Sequence, residues 1–527
     1  MKKMFLFFIL ISYQLILFSQ NEIPYDLASE ELPIWTKLMY NDGDEGKIIK
    51  EYNKYYKNNE FIKNKHTQYY KRWLRGLSRE FIDIRKYPEN KTSTQWECVG
   101  PWDFDQNAES RSYAPGAAHL YTIEQSVNNP NVLYAGSATA GAWKSIDKGS
   151  NWFLVTQNLS LGSVYSLEID FLNNDIVYIS GNGMLYKTMD GGVTWIISGD
   201  TLFNSQAHSI KDIKLDPNNN QRLFVASNQG LYLSNNSGIN FTQIMDGSFQ
   251  EIEFHPNSSD TMYFIRNIGD STEFYRSDNG GIILNRYSNG WPNPSLNEEQ
   301  QRTEIAVSPA DPDKIVALAT GSANGGSGLY GIYISHDKGE NWIFQCCGPQ
   351  PAGPPSTTNI NMMGWQDDGS DDGGQYYYDL ALAVNPQDAN IIHVGGVQHW
   401  ISHDGGVTFN CPAKWSHPHK KEYVHADIHD INYFGNDLWF ACDGGIFYSS
   451  NAGDSIYKKM YGIAGTDFWG FGAGFKNGNI MIGGTYHNGT LLKDNNTYIN
   501  DWISTDGGDN IRGFVNFGNS RIAYSDY

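Results

Sequence analysis

The chain has 527 residues, 40% hydrophobic, 18% charged and 14% aromatic, with 54 glycines and a formal net charge of −20. That apolar share is enough for a sizeable core and excludes a disordered chain. The acidic balance, with no Lys/Arg-rich run after residue 90, excludes nucleic-acid binding, disfavours anionic membranes and suits neutral or cationic partners.

At the N-terminus, Met1-Lys2-Lys3 leads into an apolar run from Met4 to Phe18, and small Ser19 precedes Gln20. This pattern predicts a secretory signal peptide over 1–19 and a secreted or cell-surface protein. The run is shorter than the ~20 residues that span a bilayer, so no membrane insertion is expected. Residues 20–95 read as a helical segment. Leu38, Ile48, Ile49, Tyr52, Tyr55, Tyr56, Phe61 and Ile62 recur at helical intervals. The basic stretch Lys63 to Arg85 carries a stripe of Tyr69, Tyr70, Trp73, Leu74 and Leu77, expected to pack against the next domain. Five cysteines (Cys98, Cys346, Cys347, Cys411, Cys442) are too few and too odd in number for a disulfide scaffold. They allow one or two bridges with a thiol left over.

From residue 96 to 527 the text becomes repetitive. Ser/Thr-x-Asp-x-Gly-x-x-Trp appears at Ser145-Asp147-Gly149-Trp152 and at Thr188-Asp190-Gly192-Trp195. Degenerate copies start at Ser234 and Ser277, clean ones at Ser335 (Asp337, Trp342) and Ser402 (Asp404, Phe409), and a worn one at Ser449. The starts lie 43, 46, 43, 58, 67 and 47 residues apart. A Pro/Asn-rich turn and two short strands precede each motif, as in DPNNNQRLFVASNQGLYLS. Four-stranded units at this spacing predict an all-β fold, a β-propeller of four-stranded blades. In the motif, Asp accepts backbone N–H groups across a tight turn and Gly supplies a positive φ. Asp147, Asp190, Asp337 and Asp404 are therefore assigned to structure. An eighth unit from Phe468 to about Trp502 lacks the motif, and a ninth begins near Ile511. The expectation is one array of eight to nine blades in a chain that is a fragment, the alternative being that a strand around Trp96 to Val99 completes the ninth.

The motifs resemble Asp-box (bacterial neuraminidase) repeats, shared by sialidases, xyloglucanase-type glycosidases, sortilin-type receptors and photosystem assembly factors. Longer stretches are similar to secreted Bacteroidetes surface proteins with sortilin-like propellers: RWLRGLSR (72–79), GGQYYYDLALAVNP (373–386), YVHADIHDI (423–431), CDGGIFYSS (442–450) and GGTYHNGT (483–490). The resemblance implies the propeller and leaves activity open. It departs at Tyr486-His487, where such relatives carry Gln-Asp. The Arg-Ile-Pro start of sialidases is absent and arginines are few, which argues against a sialidase.

Site candidates follow from strand position. His425, Asp427 and His429 alternate along an expected inner strand and would share a face. The ~13 Å between the two histidines at ~3.3 Å per residue is too long for a common zinc with ~2 Å bonds unless the strand bends. A buried hydrogen-bond network is the preferred reading, so neither metal nor cofactor is expected. If a metal bound, these three would hold it, with Asp379 or Asp443 as partner. Asp506 and Asp509 complete the acid inventory. The Gly/Pro/Asp-rich insertion Cys346 to Tyr378 reads equally as a flexible loop over a groove or a solvated loop. The function expected is non-catalytic binding of extracellular protein or glycan. The alternative is a xyloglucanase-like hydrolase using two channel-mouth carboxylates ~5–9.5 Å apart. The oligomeric state is left open.

Overall fold

The computed structural model describes residues 32–41, 44–80, 98–104, 112–199, 203, 208–323, 326–347, 360–475, 477–494 and 502–526. The expected signal peptide lies outside them. The chain divides into two compact units, 1–97 and 98–527. In the first, three helices are described: α1 (Ile34–Tyr40), α2 (Glu45–Asn58) and α3 (Lys65–Glu80). Asp44 caps α2 by accepting from Lys47 N at 2.8 Å. Tyr69, Tyr70 and Trp73 of α3 pack in the core of this unit. Tyr70 stacks on Tyr52 at 3.7 Å between ring centroids, and both rings meet Trp35. Among the described residues, no helix is long and apolar enough to cross a membrane.

The second unit is built of antiparallel four-stranded sheets in sequential order. Their innermost strands are Leu120–Gln125, Leu167–Ile169, Ile210–Asp216, Ser248–His255, Glu299–Ser308, Ala381–Val384 and Ile428–Phe434, here blades 1 to 7. Blade 6 is three-stranded, with an Ile401–Asn410 bridge at its outer edge. The second strands of blades 1 and 2, Leu133–Ser137 and Val177–Gly181, are buried at every residue. Flanking blades cover both faces of each sheet, which is why these strands do not alternate with polar residues.

Seven motif turns join third and fourth strands or lie at the equivalent place. In each, the Ser/Thr hydroxyl donates to the Asp or Asn oxygen at 2.8–2.9 Å. The same oxygen accepts from the backbone N–H four residues on, at 2.8–3.0 Å. Asn in the degenerate copies keeps the acceptor and hence the turn. The Gly is left-handed as expected, and so is the residue before it, as at Lys148 (φ 58) and Gly149 (φ 73).

The ring closes at seven blades. Backbone N–H groups of one inner strand donate to a carboxylate of the preceding one: Leu215 to Glu168 at 2.9 Å, Ile252 to Asp212 at 3.0 Å. Ile123 of blade 1 donates to Asp430 of blade 7 at 3.0 Å in the same way. Two motif tryptophans repeat the relation, while Trp342 Nε1 donates within its own turn to Gly339 O at 3.1 Å. Trp195 Nε1 donates to Val155 O of blade 1, and Trp152 Nε1 to Lys459 O of blade 7, both at 2.8 Å. A single array of eight to nine blades is thus corrected to a closed ring of seven. The eighth sheet lies outside this ring: Phe468–Ala473, Ile480–Thr485, Thr490–Asp494 and Ile503–Asp506, with the hairpin Gly513–Val515 and Ala523–Ser525 packed on it through Val515. Residues 98–104 do not complete that hairpin. Val99 O accepts from Trp502 Nε1 at 2.9 Å and Trp102 O from Gly462 N at 3.0 Å, strapping the eighth sheet to blade 7.

One disulfide is described, between adjacent Cys346 and Cys347, while Cys98, Cys411 and Cys442 are free thiols. The insertion after it is held in place over 360–378 rather than loose. Asn361 accepts from Leu329 N and Met363 N and donates to Asp371 O and Gly373 O, with Met362 and Met363 fully buried.

Candidate functional site

One carboxylate gathers the chemistry of the fold. Asp443 lies in the tight hairpin between Asp437–Cys442 and Gly445–Ser449 of blade 7, and its side chain is 0% exposed. Its Oδ1 meets His119 Nε2 at 3.0 Å and His429 Nε2 at 2.7 Å. Its Oδ2 meets His487 Nδ1 at 3.0 Å and accepts from the Tyr378 hydroxyl at 2.9 Å. The four acceptor positions of the carboxylate are then all taken. The hairpin needs Gly444, because a Cβ there would collide with the His425 ring.

Each partner arrives from a different element. His119 immediately precedes the inner strand of blade 1, His429 opens that of blade 7, and Tyr378 ends the insertion before blade 6. His487 sits in the hairpin of the eighth sheet, between Ile480–Thr485 and Thr490–Asp494, at the place equivalent to Asp443. Asp467, just ahead of the eighth sheet, takes the other face of His119 through Nδ1 at 3.2 Å, so one ring bridges two carboxylates. Asp427 and His487 hold left-handed backbone (φ 61 and 69), a cost that non-glycine residues bear where surroundings fix them.

The H-x-D-x-H expectation is corrected on that point. The inner strand begins at Ile428, and positive φ at Asp427 breaks the alternation that would place His425 beside His429. His425 turns away, its ring nitrogens facing Ala426 O at 3.1 Å and Ala114 O at 3.2 Å. Asp379 and Asp427 stay close to the cluster, sharing the Gln375 amide at 3.4 and 2.5 Å, and the buried Asp379 Oδ1 has no hydrogen-bond partner among the described residues. Asp509 is 55% exposed and accepts from His487 N at 2.8 Å. Asp506 ends the outer strand of the eighth sheet and does not meet Asp443. Sequence reasoning missed His119, Tyr378 and Asp467, for which no local pattern exists. His487 carried a signal, the departure from Gln-Asp.

The charges divide unevenly. Burial alone would raise the Asp443 carboxyl, but the His429 and His119 rings outweigh it and hold it well below the usual carboxylate range. Burial, then the Asp443 and Asp379 charges, push Asp427 well above that range; burial foremost does the same to Asp379. For His119, burial opposes protonation, yet Asp443 and Asp467 raise it to about 9. Burial lowers His487 to about 4. Of Asp443, Asp427 and Asp379, the surroundings favour the charged form at Asp443 and disfavour it at the other two. Two sets of ligand atoms lie within 4.8 Å of one another and could hold a metal: His119, His429 and Asp443, and Asp427, Asp443 and His487.

Beside the cluster runs the axial channel, a cavity of about 450 Å³ to which all seven inner strands contribute. Glu124, Glu168, Asp212, Glu251, Glu253, Glu304 and Asp430 line it, with Lys211, Lys214 and Arg302 among them. Tyr165 and Tyr377 also line it, 51% and 72% exposed.

No protein-family model and no curated protein matches the chain. Solved structures do. A structure described as an ancestral GH74 enzyme has a TM-score of 0.55 at 16% identity, over 80% of this chain and 58% of that one. The fold is a β-propeller. The GH74 xyloglucanase from Xanthomonas campestris follows at a TM-score of 0.51 and 13% identity, over 74% of this chain and 68% of that one. PorZ, a surface component of the type-IX secretion system of Porphyromonas gingivalis, is more distant, with a TM-score of 0.45 and 11% identity over 78% and 50%. This chain spans 58% of the length of the first of these propellers. At such identities the likeness extends to the fold alone.

Proposed function

We propose that this protein is a secreted or cell-surface β-propeller that binds an extracellular protein or glycan and does not turn it over. The observation that carries the reading is the state of Asp443. A hydrolytic carboxylate must reach a glycosidic oxygen or a water, directly or as a nucleophile. Asp443 is 0% exposed and already engaged by three histidines and a tyrosine. Its nearest acid, Asp427, has an oxygen within 4.8 Å of it, closer than the ~5–9.5 Å that separates hydrolytic pairs. The propeller mouth offers a binding surface instead. Tyr377 presents an exposed ring beside a channel rich in carboxyl groups, next to Tyr165, which stacks on Tyr121, a combination suited to the apolar face of a sugar or to a basic side chain.

A glycan array and a pull-down from extracellular material, both with the full chain, should yield a ligand that is recovered intact. Tyr377→Ala should weaken that binding about tenfold, ~1.4 kcal/mol, without shifting the melting curve. Shortened polysaccharide would overturn the reading in favour of a glycoside hydrolase.

A further inference from the structure

We propose that His119, His429 and Asp443 form a site for one divalent transition metal, of the nitrogen-and-oxygen donor kind that suits Zn²⁺. Two imidazole nitrogens address the same oxygen: Nε2 of His119 at 3.0 Å and Nε2 of His429 at 2.7 Å from Asp443 Oδ1. A tetrahedral zinc with bonds of ~2.0–2.1 Å keeps its donors ~3.3 Å apart, so insertion needs outward movement of only a few tenths of an ångström.

The supporting shell points the same way. Asp467 Oδ2 lies 3.2 Å from His119 Nδ1 and fixes the proton there. A metal displacing the Nε2 proton would complete the carboxylate–histidine–metal arrangement that orients ligands elsewhere. A single divalent ion serves His119, His429 and Asp443 together, where protons would have to be supplied one ring at a time. The fourth position falls to the Tyr378 hydroxyl, 3.2 Å from His119 Nε2. The side chains of His119, His429 and Asp443 are 4%, 6% and 0% exposed. A closed set of this kind is structural rather than catalytic. Asp467 and His487 belong to the eighth sheet, so the ion would lock that sheet onto the point where the ring of blades closes. The site stands whether or not the propeller mouth binds a glycan.

The test uses the full chain, stripped with chelator and dialysed, then titrated with Zn²⁺ under elemental analysis and, in parallel, with Co²⁺ under visible absorption. One equivalent of zinc per chain, a higher melting temperature and a tetrahedral cobalt band displaced by zinc are expected. His119→Ala and His429→Ala should each lose the bound equivalent, while His417→Ala, at an exposed ring, keeps it. If the two alanine variants do not fold, the wild-type cobalt band decides. No stoichiometric ion and no cobalt band in the wild type, or retention of the ion by folded His429→Ala, overturns the proposal.

Discussion

At the scale of single residues, the turn chemistry and the buried cluster make opposite demands on Asp. Asp147 sits at the surface, accepts from Asn151 N at 2.8 Å and is helped by Ser145 and Asn151 side chains. Asp147→Ala leaves those donors to water, so we expect a loss of about 1–2 kcal/mol in urea unfolding with ligand binding unchanged. An unaltered urea midpoint with lost binding would contradict the structural assignment. Asp443 is the reverse case: removing its charge strands the His119 ring in the interior. Asp443→Asn should cost ~3–5 kcal/mol in the same measurement, because half of a buried pair is left behind. The difference also explains what was legible. Ser145, Asp147, Gly149 and Trp152 make their turn within eight residues, so spacing alone reveals it. His119, Tyr378, Asp443 and His487 meet only after the ring has closed. The single local pattern nearby, H-x-D-x-H, misled because Asp427 adopts a left-handed turn that no periodicity announces.

Among elements, the repeat identifies each blade but not where the ring shuts. Every motif tryptophan looks alike in sequence, and the partner distinguishes them: Trp195 reaches back to Val155, whereas Trp152 reaches forward across the closure to Lys459. A repeat count of eight or nine therefore reads as one array until a long-range contact divides it. Trp152 is buried at the seam of the first and seventh blades. Trp152→Ala should cost ~3–5 kcal/mol, as large aromatic truncations in cores do. Trp152→Phe keeps most of the packing and loses the indole bond, so about 1 kcal/mol is expected. Equal effects of the two substitutions on the unfolding midpoint would deny the seam its hydrogen bond.

For the whole molecule, seven carboxyl groups are gathered along the axis with Lys211, Lys214 and Arg302. Glu168 lines the channel, and its burial, only partly relieved by Lys214 and the Leu215 N–H, raises it from 4.5 to about 8. Glu124, Glu251 and Glu253 are raised as well, burial again first. A folded-state pKa above the unfolded one means the folded chain holds its proton more tightly. That contribution is present in full below 4.5 and fades as pH rises through about 8. The melting temperature should fall across that window, and Glu168→Gln, which cannot titrate, should flatten the decline. A slope unchanged by the substitution would remove Glu168 from the account.

The whole propeller reading turns on Asp443 being closed to substrate. The most direct measurement is release of new reducing ends from xyloglucan by the wild-type full chain, at stoichiometric concentration and over long incubation, with Asp443→Asn as the matched control. We predict no release above buffer from either protein, while the wild type still retains its ligand in a binding assay. Release by the wild type that Asp443→Asn abolishes would contradict the account and make the carboxylate a catalytic one.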